Sequence, residues 1–212
     1  DGKCDPRGRL WIGSISRVGP GGADLDPGQA ALYCLDGWGS KPTRVLTGVT
    51  ISNGLCWTGD KFYYIDSPTC HVDVFDFAAD AEGSTALSNR RHAIKVSDGF
   101  PPVPDGAALD SEGMLWVACF GAGEVRRYDT RTGVLLAVVR LPSSAGMECT
   151  ACAFGGASLD ELYVTCAHEF WSEEQQASMP HAGSLFKVTK RELDKLCVPG
   201  GIRGAPMSLF KK

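Results

Sequence analysis

The 212-residue chain lacks any apolar run approaching the roughly 20 residues needed to cross a bilayer. Membrane-spanning helices are therefore not expected, and nothing ahead of Asp1 reads as a charged-then-apolar leader. A dominant charge is also missing. With 21 basic and 25 acidic side chains, the net charge of −4 offers no broad surface to nucleic acid. No Gly-x-Ser-x-Gly elbow and no convincing Ser-His-Asp set occurs, which removes the usual serine-hydrolase arrangements. Histidines number only four (His71, His92, His168 and His181), and each is expected at the surface or a strand edge.

What is present points to turns. The 26 glycines and 12 prolines favour many short strands over long helices. Helix is expected only late, around Glu173 to Ser178 or Arg191 to Leu196. Nine cysteines are spread through apparent strands, as at Cys34, Cys56, Cys119 and Cys166. That placement suits reduced, buried thiols and a cytoplasmic protein. Cys149 and Cys152 form the only close pair. On an unbroken strand their side chains point to opposite faces, and no further pair completes a tetrahedral zinc set. Structural packing is the expected role.

One phrase recurs: a polar turn, a bulky apolar pair, then β-branched or small residues. It occupies Asp5 to Ile12, Thr58 to Ile65, Asp110 to Val117 and Ser158 to Val164, at a pitch of roughly 50 residues. The third copy predicts strands at Ala107 to Leu109, Met114 to Cys119, Glu124 to Tyr128 and Leu135 to Leu141. Asp110 to Gly113, Gly121 with Gly123, and Asp129 to Gly133 supply the joining turns. Four-stranded units repeated about an axis make an all-β fold, a β-propeller with about four blades here. A two-sheet sandwich is the alternative, but it does not require the same phrase four times. The blades are expected over residues 1–190, with 191–212 as an irregular tail.

Counting four residues back from Trp57, Leu109 and Phe154 gives Asn53, Asp105 and Thr150. In the first unit Cys4 takes the apolar place, and the count falls one residue before Asp1. Asn53 and Asp105 are each followed by glycine, so the backbone there can approach a ligand or another blade. Asp and Asn before Gly are also common turn formers. The shared register at a spacing of 52 favours a ring at one end of the axis, where oxygen donors could converge on a hard cation.

The stretches Ile51-Ser52-Asn53-Gly54-Leu55, Phe62-Tyr63-Tyr64-Ile65-Asp66-Ser67, Ser88-Asn89-Arg90-Arg91, Pro104-Asp105-Gly106, Glu112 to Cys119, and Leu162 to Ala167 resemble the regucalcin (senescence marker protein) and gluconolactonase family. The resemblance runs in order from Asp1 to about Thr189. It implies a six-bladed propeller that holds one divalent metal on its axis and hydrolyses sugar lactones. By matching motif, Asn53 becomes a metal ligand, and Asp105 both a ligand and the general base. Calcium is the favoured ion, with zinc, manganese or magnesium as alternatives. The family's metal-binding glutamate, and the Arg and Asn that contact substrate, have no counterpart here. They lie ahead of the segment matching Asp1 to Lys3, so the chain is expected to be part of a longer or processed protein.

The resemblance implies that a metal-bound water opens a lactone while Asp105 takes its proton. The implied partner is a small-molecule lactone, with neither nucleic acid nor membrane, and the full-length protein is expected to be a monomer. With one carboxylate among the retained inner residues, metal affinity is expected to be weak. The long segments Ser16 to Gln29 and His168 to Ala182 are expected to lie over the site as a lid, with Arg17, Asp24, His168 and Trp171 as substrate contacts. Two other roles stay open: a non-enzymatic calcium-binding regulator, and a propeller used for protein contacts. Unpaired outer blade faces would also promote self-association of the chain alone.

Overall fold

A computed structural model describes residues 1–16, 25–81, 86–168, 171–196 and 201–211. Arg17 and Asp24, two of the expected substrate contacts, lie outside the described residues. The strands form four antiparallel meanders. The first contains β1 (Gly2–Cys4), β2 (Leu10–Gly13), β3 (Ala30–Leu35) and β4 (Thr43–Val49). The second contains β5 (Ser52–Thr58), β6 (Lys61–Asp66), β7 (His71–Phe77) and β8 (Leu87–Lys95). In the third are β9 (Val103–Leu109), β10 (Leu115–Phe120), β11 (Glu124–Tyr128) and β12 (Leu135–Arg140).

Among the described residues the fourth sheet has three strands, β13 (Cys149–Gly155), β14 (Glu161–Cys166) and β15 (Leu185–Val188), where the repeat leads one to expect four. The chain instead enters α2 (Lys190–Leu193) and a 3-10 turn at Asp194–Leu196. A short helix α1 (Glu173–Ser178) precedes β15 and is held at its start by a capping box between Ser172 and Gln175. No helix among the described residues is long and apolar enough to cross a membrane.

Strands inside the stack, such as β6 and β10, are buried along nearly their whole length because both faces of a blade press against its neighbours. The core is accordingly divided into three layers. Trp11, Leu32, Leu55 and Phe62 fill the space between the first and second sheets. Ile65, Val72, Leu115 and Val117 fill the next, and Trp116, Phe154, Leu162 and Val164 the third. Aromatic edges and faces fit together there, with Trp57 stacked on Phe62 at 4.7 Å and Trp116 edge-on to Phe154 at 5.6 Å.

The recurring phrase has a physical explanation in its first residue. Asp110 is buried and accepts hydrogen bonds from the Glu112 and Met114 amides, the Trp116 indole and the Arg127 guanidinium. Asp5 does the same with Arg7 N, Arg9 N, the Arg9 side chain and Trp11 Nε1. The spacing Asp-x-x-Gly-x-x-Trp therefore builds one unit twice. Gly8 (φ 77°) and Gly113 (φ 78°) supply the left-handed step that lets the turn close on its own carboxylate.

The final segment belongs to the core instead of trailing from it. Leu193 and Ile202 are buried against the third layer. Beyond them the chain runs under the inner strands, through hydrogen bonds from Gly204 N to Leu159 O, Ala205 N to Leu109 O and Lys211 N to Gly8 O. The Lys211 ammonium reaches Asp36 at 2.9 Å. A central cavity of about 550 Å³ lies between the inner strands, lined by Lys3, Cys56, Ala107 and Cys152 and floored by Pro206 and Met207.

Candidate active site

The inner strands β1, β5, β9 and β13 stand side by side around this cavity, and three of them share an irregularity. In β5 the register with β6 slips between Ser52 and Leu55, so Asn53 and Gly54 hold one residue too many. The β9 register with β10 slips across Asp105 and Gly106, and that of β13 with β14 slips at Thr150. Asn53, Asp105 and Thr150 are thus equivalent bulge positions. A bulge re-aims a side chain that regular pleating would send elsewhere.

The glycines after Asn53 and Asp105 allow the bulges to nest. A Cβ on Gly54 would lie 2.8 Å from the Ala107 Cβ and 3.0 Å from the Asp105 carbonyl oxygen. On Gly106 it would lie 2.8 Å from the Ala151 Cβ and 3.0 Å from the Thr150 oxygen. Each bulge therefore rests on the bulge of the next blade. The close approach that glycine permits is to backbone, and these dipeptides are not turns.

Hydrogen bonds set the Asn53 side chain. Its Nδ2 donates to Ser67 Oγ at 2.7 Å, which leaves the amide oxygen as the donor atom for a ligand. Ser67 follows Asp66, whose carboxylate accepts from Thr50 N and Ile51 N and so pins the entry to β5. Tyr64 donates to Ser52 Oγ at 2.8 Å alongside. Burial raises the Asp66 carboxyl and drives the Tyr64 phenol far above its ordinary range.

Asp105 is part-buried, and desolvation pushes its carboxyl up to about 7. The Gly106 amide pulls the other way, but less strongly. The result is a carboxylate poised to exchange a proton near neutrality.

As a cation site the residues match in kind. Asn53 and Asp105 offer an amide oxygen and a carboxylate, the donors that hard divalent ions prefer over the nitrogen and sulfur typical of zinc. They do not reach the full number, since no cluster of three His, Cys, Asp or Glu that could hold a metal occurs among the described residues.

The expected loop contacts are only partly brought near this centre. Trp171 donates its indole N–H to Glu148 Oε1 at 2.7 Å and packs its ring over Gly146, at the entry to β13. His168 is exposed and lies against Gly183 across the base of the same loop. Cys149 and Cys152 require a correction. The bulge at Thr150 breaks the strand's alternation, so both thiols face the third core layer instead of opposite sides.

Four antiparallel blades around an axial cavity, with Asn53, Asp105 and Thr150 at equivalent bulges of the inner strands, define a β-propeller. The chain belongs to the SMP-30/Gluconolactonase/LRE-like region family, whose profile matches residues 1–168. Regucalcin of Danio rerio is 42% identical over 193 residues, a match that covers 89% of this chain and 61% of that protein. The chain thus spans about three fifths of the length of the regucalcins it matches. Among solved structures, a luciferin-regenerating enzyme superposes with a TM-score of 0.76 at 31% identity, covering 100% of this chain and 64% of that one. A gluconolactonase of Xanthomonas campestris gives 0.60 at 26% identity, covering 78% and 52%.

Proposed function

We propose that the protein to which this chain belongs is a metal-dependent hydrolase of sugar lactones and that Asp105 is its general base. The observation that carries the reading is that Asn53 and Asp105 occupy equivalent bulges of neighbouring inner strands, an amide oxygen and a carboxylate in the same register. A carboxylate in that position can accept the proton of an attacking water and return it to the leaving group. Asn53 Oδ1 and the Asp105 carboxylate would hold the divalent ion, calcium in the first instance. When bound, that ion supplies Lewis acidity toward the lactone carbonyl and toward water.

The protein's own residues do the rest. Ser67 fixes the amide of Asn53 by accepting from its Nδ2, which would leave the oxygen for the ion, and Gly106 lets the Asp105 bulge sit against the next blade. Asp105 takes the proton of the attacking water. Ring opening then releases an alkoxide leaving group, which the protonated Asp105 can neutralise. His168 and Trp171 serve at most the outer rim in this scheme, and Arg17 and Asp24 remain expectations from the sequence.

A second reading, a calcium-binding regulator without turnover, is favoured by the oxygen-only donor pair and by the regucalcins among the relatives. Gluconolactone hydrolysis followed in a pH-stat with calcium, zinc, manganese or EDTA separates the two. It should be run on this chain and on a form extended to the length of the regucalcin relatives. Metal-dependent turnover abolished by Asp105→Ala is the expected result. Metal-dependent stabilisation with no turnover supports the regulator, and neither response overturns both.

A further inference from the structure

Among the described residues, one pair of cysteines faces each other directly across a strand pair: Cys149 of β13 and Cys166 of β14. The backbone hydrogen bonds define how they are paired. Ala167 N donates to Glu148 O at 2.9 Å, one step outside the pair, while Cys149 N goes to Met147 O and Cys166 N to Ser184 O. Neither cysteine exchanges a backbone bond with the other. They are therefore a non-hydrogen-bonded pair, the closer of the two kinds, with Cα atoms about 4.5 Å apart. A disulfide accepts Cα separations of about 4.4–6.8 Å.

The side chains agree with the backbone. Directly opposed residues share one face of a sheet, so the two side chains lie on the same side of the strand pair. Cys149 is wholly buried, whereas Cys166 keeps 8% of its surface exposed. The neighbouring thiols are engaged elsewhere: Cys152 Sγ donates to Trp116 O at 3.5 Å, and Cys119 Sγ to Val117 O at 3.6 Å. Cys152 is opposed by Val164, so the register gives it no cysteine partner.

We propose that Cys149 and Cys166 form a peroxide-sensitive dithiol that closes reversibly to a cross-strand disulfide. Cys166 is the attacking sulfur, being the member that keeps some surface through which peroxide can reach it, whereas Cys149 keeps none. Its thiolate takes one oxygen of hydrogen peroxide, the O–O bond breaks, and the other oxygen leaves as hydroxide and is protonated to water. The Cys149 sulfur then attacks the sulfenic sulfur and expels a second water. Two thiols lose two electrons and two protons, and one peroxide becomes two waters. The new bond ties down the bulge at Thr150, whose oxygen lies against Gly106 beside Asp105.

The test uses the full chain in native buffer. It is exposed to hydrogen peroxide, then unfolded in guanidinium with N-ethylmaleimide so that every remaining thiol is blocked, digested, and mapped by mass spectrometry with fragmentation that resolves Cys149 from Cys152. The expected result is the loss of two alkylatable thiols per chain and a single Cys149–Cys166 link that dithiothreitol reverses. Cys166→Ala should abolish the link and leave Cys149 alkylated. The wild-type map decides even if that variant does not fold. Full alkylation of both residues at peroxide doses that oxidise free cysteine, or a link made instead through Cys119 or Cys152, overturns the proposal. The readout counts thiols, so it is independent of whether lactones are turned over.

Discussion

Replacing Asp105 with asparagine should make the metal-free chain more stable at pH 8, although it removes the residue assigned to the chemistry. The folded carboxyl lies at about 7, against an ordinary value of 3.8. Between those two pH values the folded state holds a proton that the unfolded state has released. Stability therefore falls as pH rises through that window. At 1.36 kcal/mol per pH unit the full effect is roughly 4 kcal/mol, and screening of the part-exposed carboxylate by water cuts it to about 2 kcal/mol. Asn keeps the shape and carries no charge, so Asp105→Asn should recover about 2 kcal/mol at pH 8 and nothing at pH 4. Urea unfolding midpoints in EDTA from pH 4 to 8 measure this directly. Equal midpoints for the two proteins at pH 8, with the same pH slope, would refute the desolvated carboxylate and with it the base assigned above.

Other perturbations read other parts of the structure. Gly106→Ala drives a Cβ to 2.9 Å from the Ala151 Cα, a backbone atom that cannot step aside, and should cost about 1–3 kcal/mol by urea unfolding. Asp110→Ala leaves the buried Arg127 without that partner and strips the Trp116 indole of its acceptor. A loss of about 3–5 kcal/mol is expected in the same assay, with Asp110→Asn intermediate. Ser67→Ala frees the Asn53 amide to rotate, so calcium affinity measured by titration calorimetry should fall by about 10-fold or more while the melting temperature of the metal-free chain stays nearly unchanged.

The blades could be read in the sequence because a turn phrase at fixed spacing needs no knowledge of tertiary structure. The strands placed at Glu124 to Tyr128 and Leu135 to Leu141 fall within one residue of those observed. Counting back from Trp57, Leu109 and Phe154 reached three equivalent positions for the same reason: the repeat carries its register along. What the count could not reveal was that those positions are bulges, since an extra residue looks like any other until its partner strand is placed. The error at Cys149 and Cys152 has that origin, because parity along a strand assumes an unbroken pleat. Asp5 and Asp110 were legible only as turn formers. Their burial depends on Arg9 and Arg127, and Arg127 comes from another strand whose facing register sequence spacing does not state. The path of residues 201–211 was hidden too, since the repeat has no term for a segment that leaves its blade to pack under the others.

That crossing segment has a consequence for the order in which the molecule is made. Asp36 and the Gly8 carbonyl, both in the first sheet, receive Lys211 as a partner, and Lys211 follows Asp36 by 175 residues. At about 5–20 residues per second, a ribosome delivers that lysine roughly 10–35 s after Asp36 has been added. During that interval the first blade is without its underside contacts, and the base of the cavity has no floor. The first sheet is thus finished only when a segment 175 residues further along the chain reaches it, and until then its underside stays uncovered.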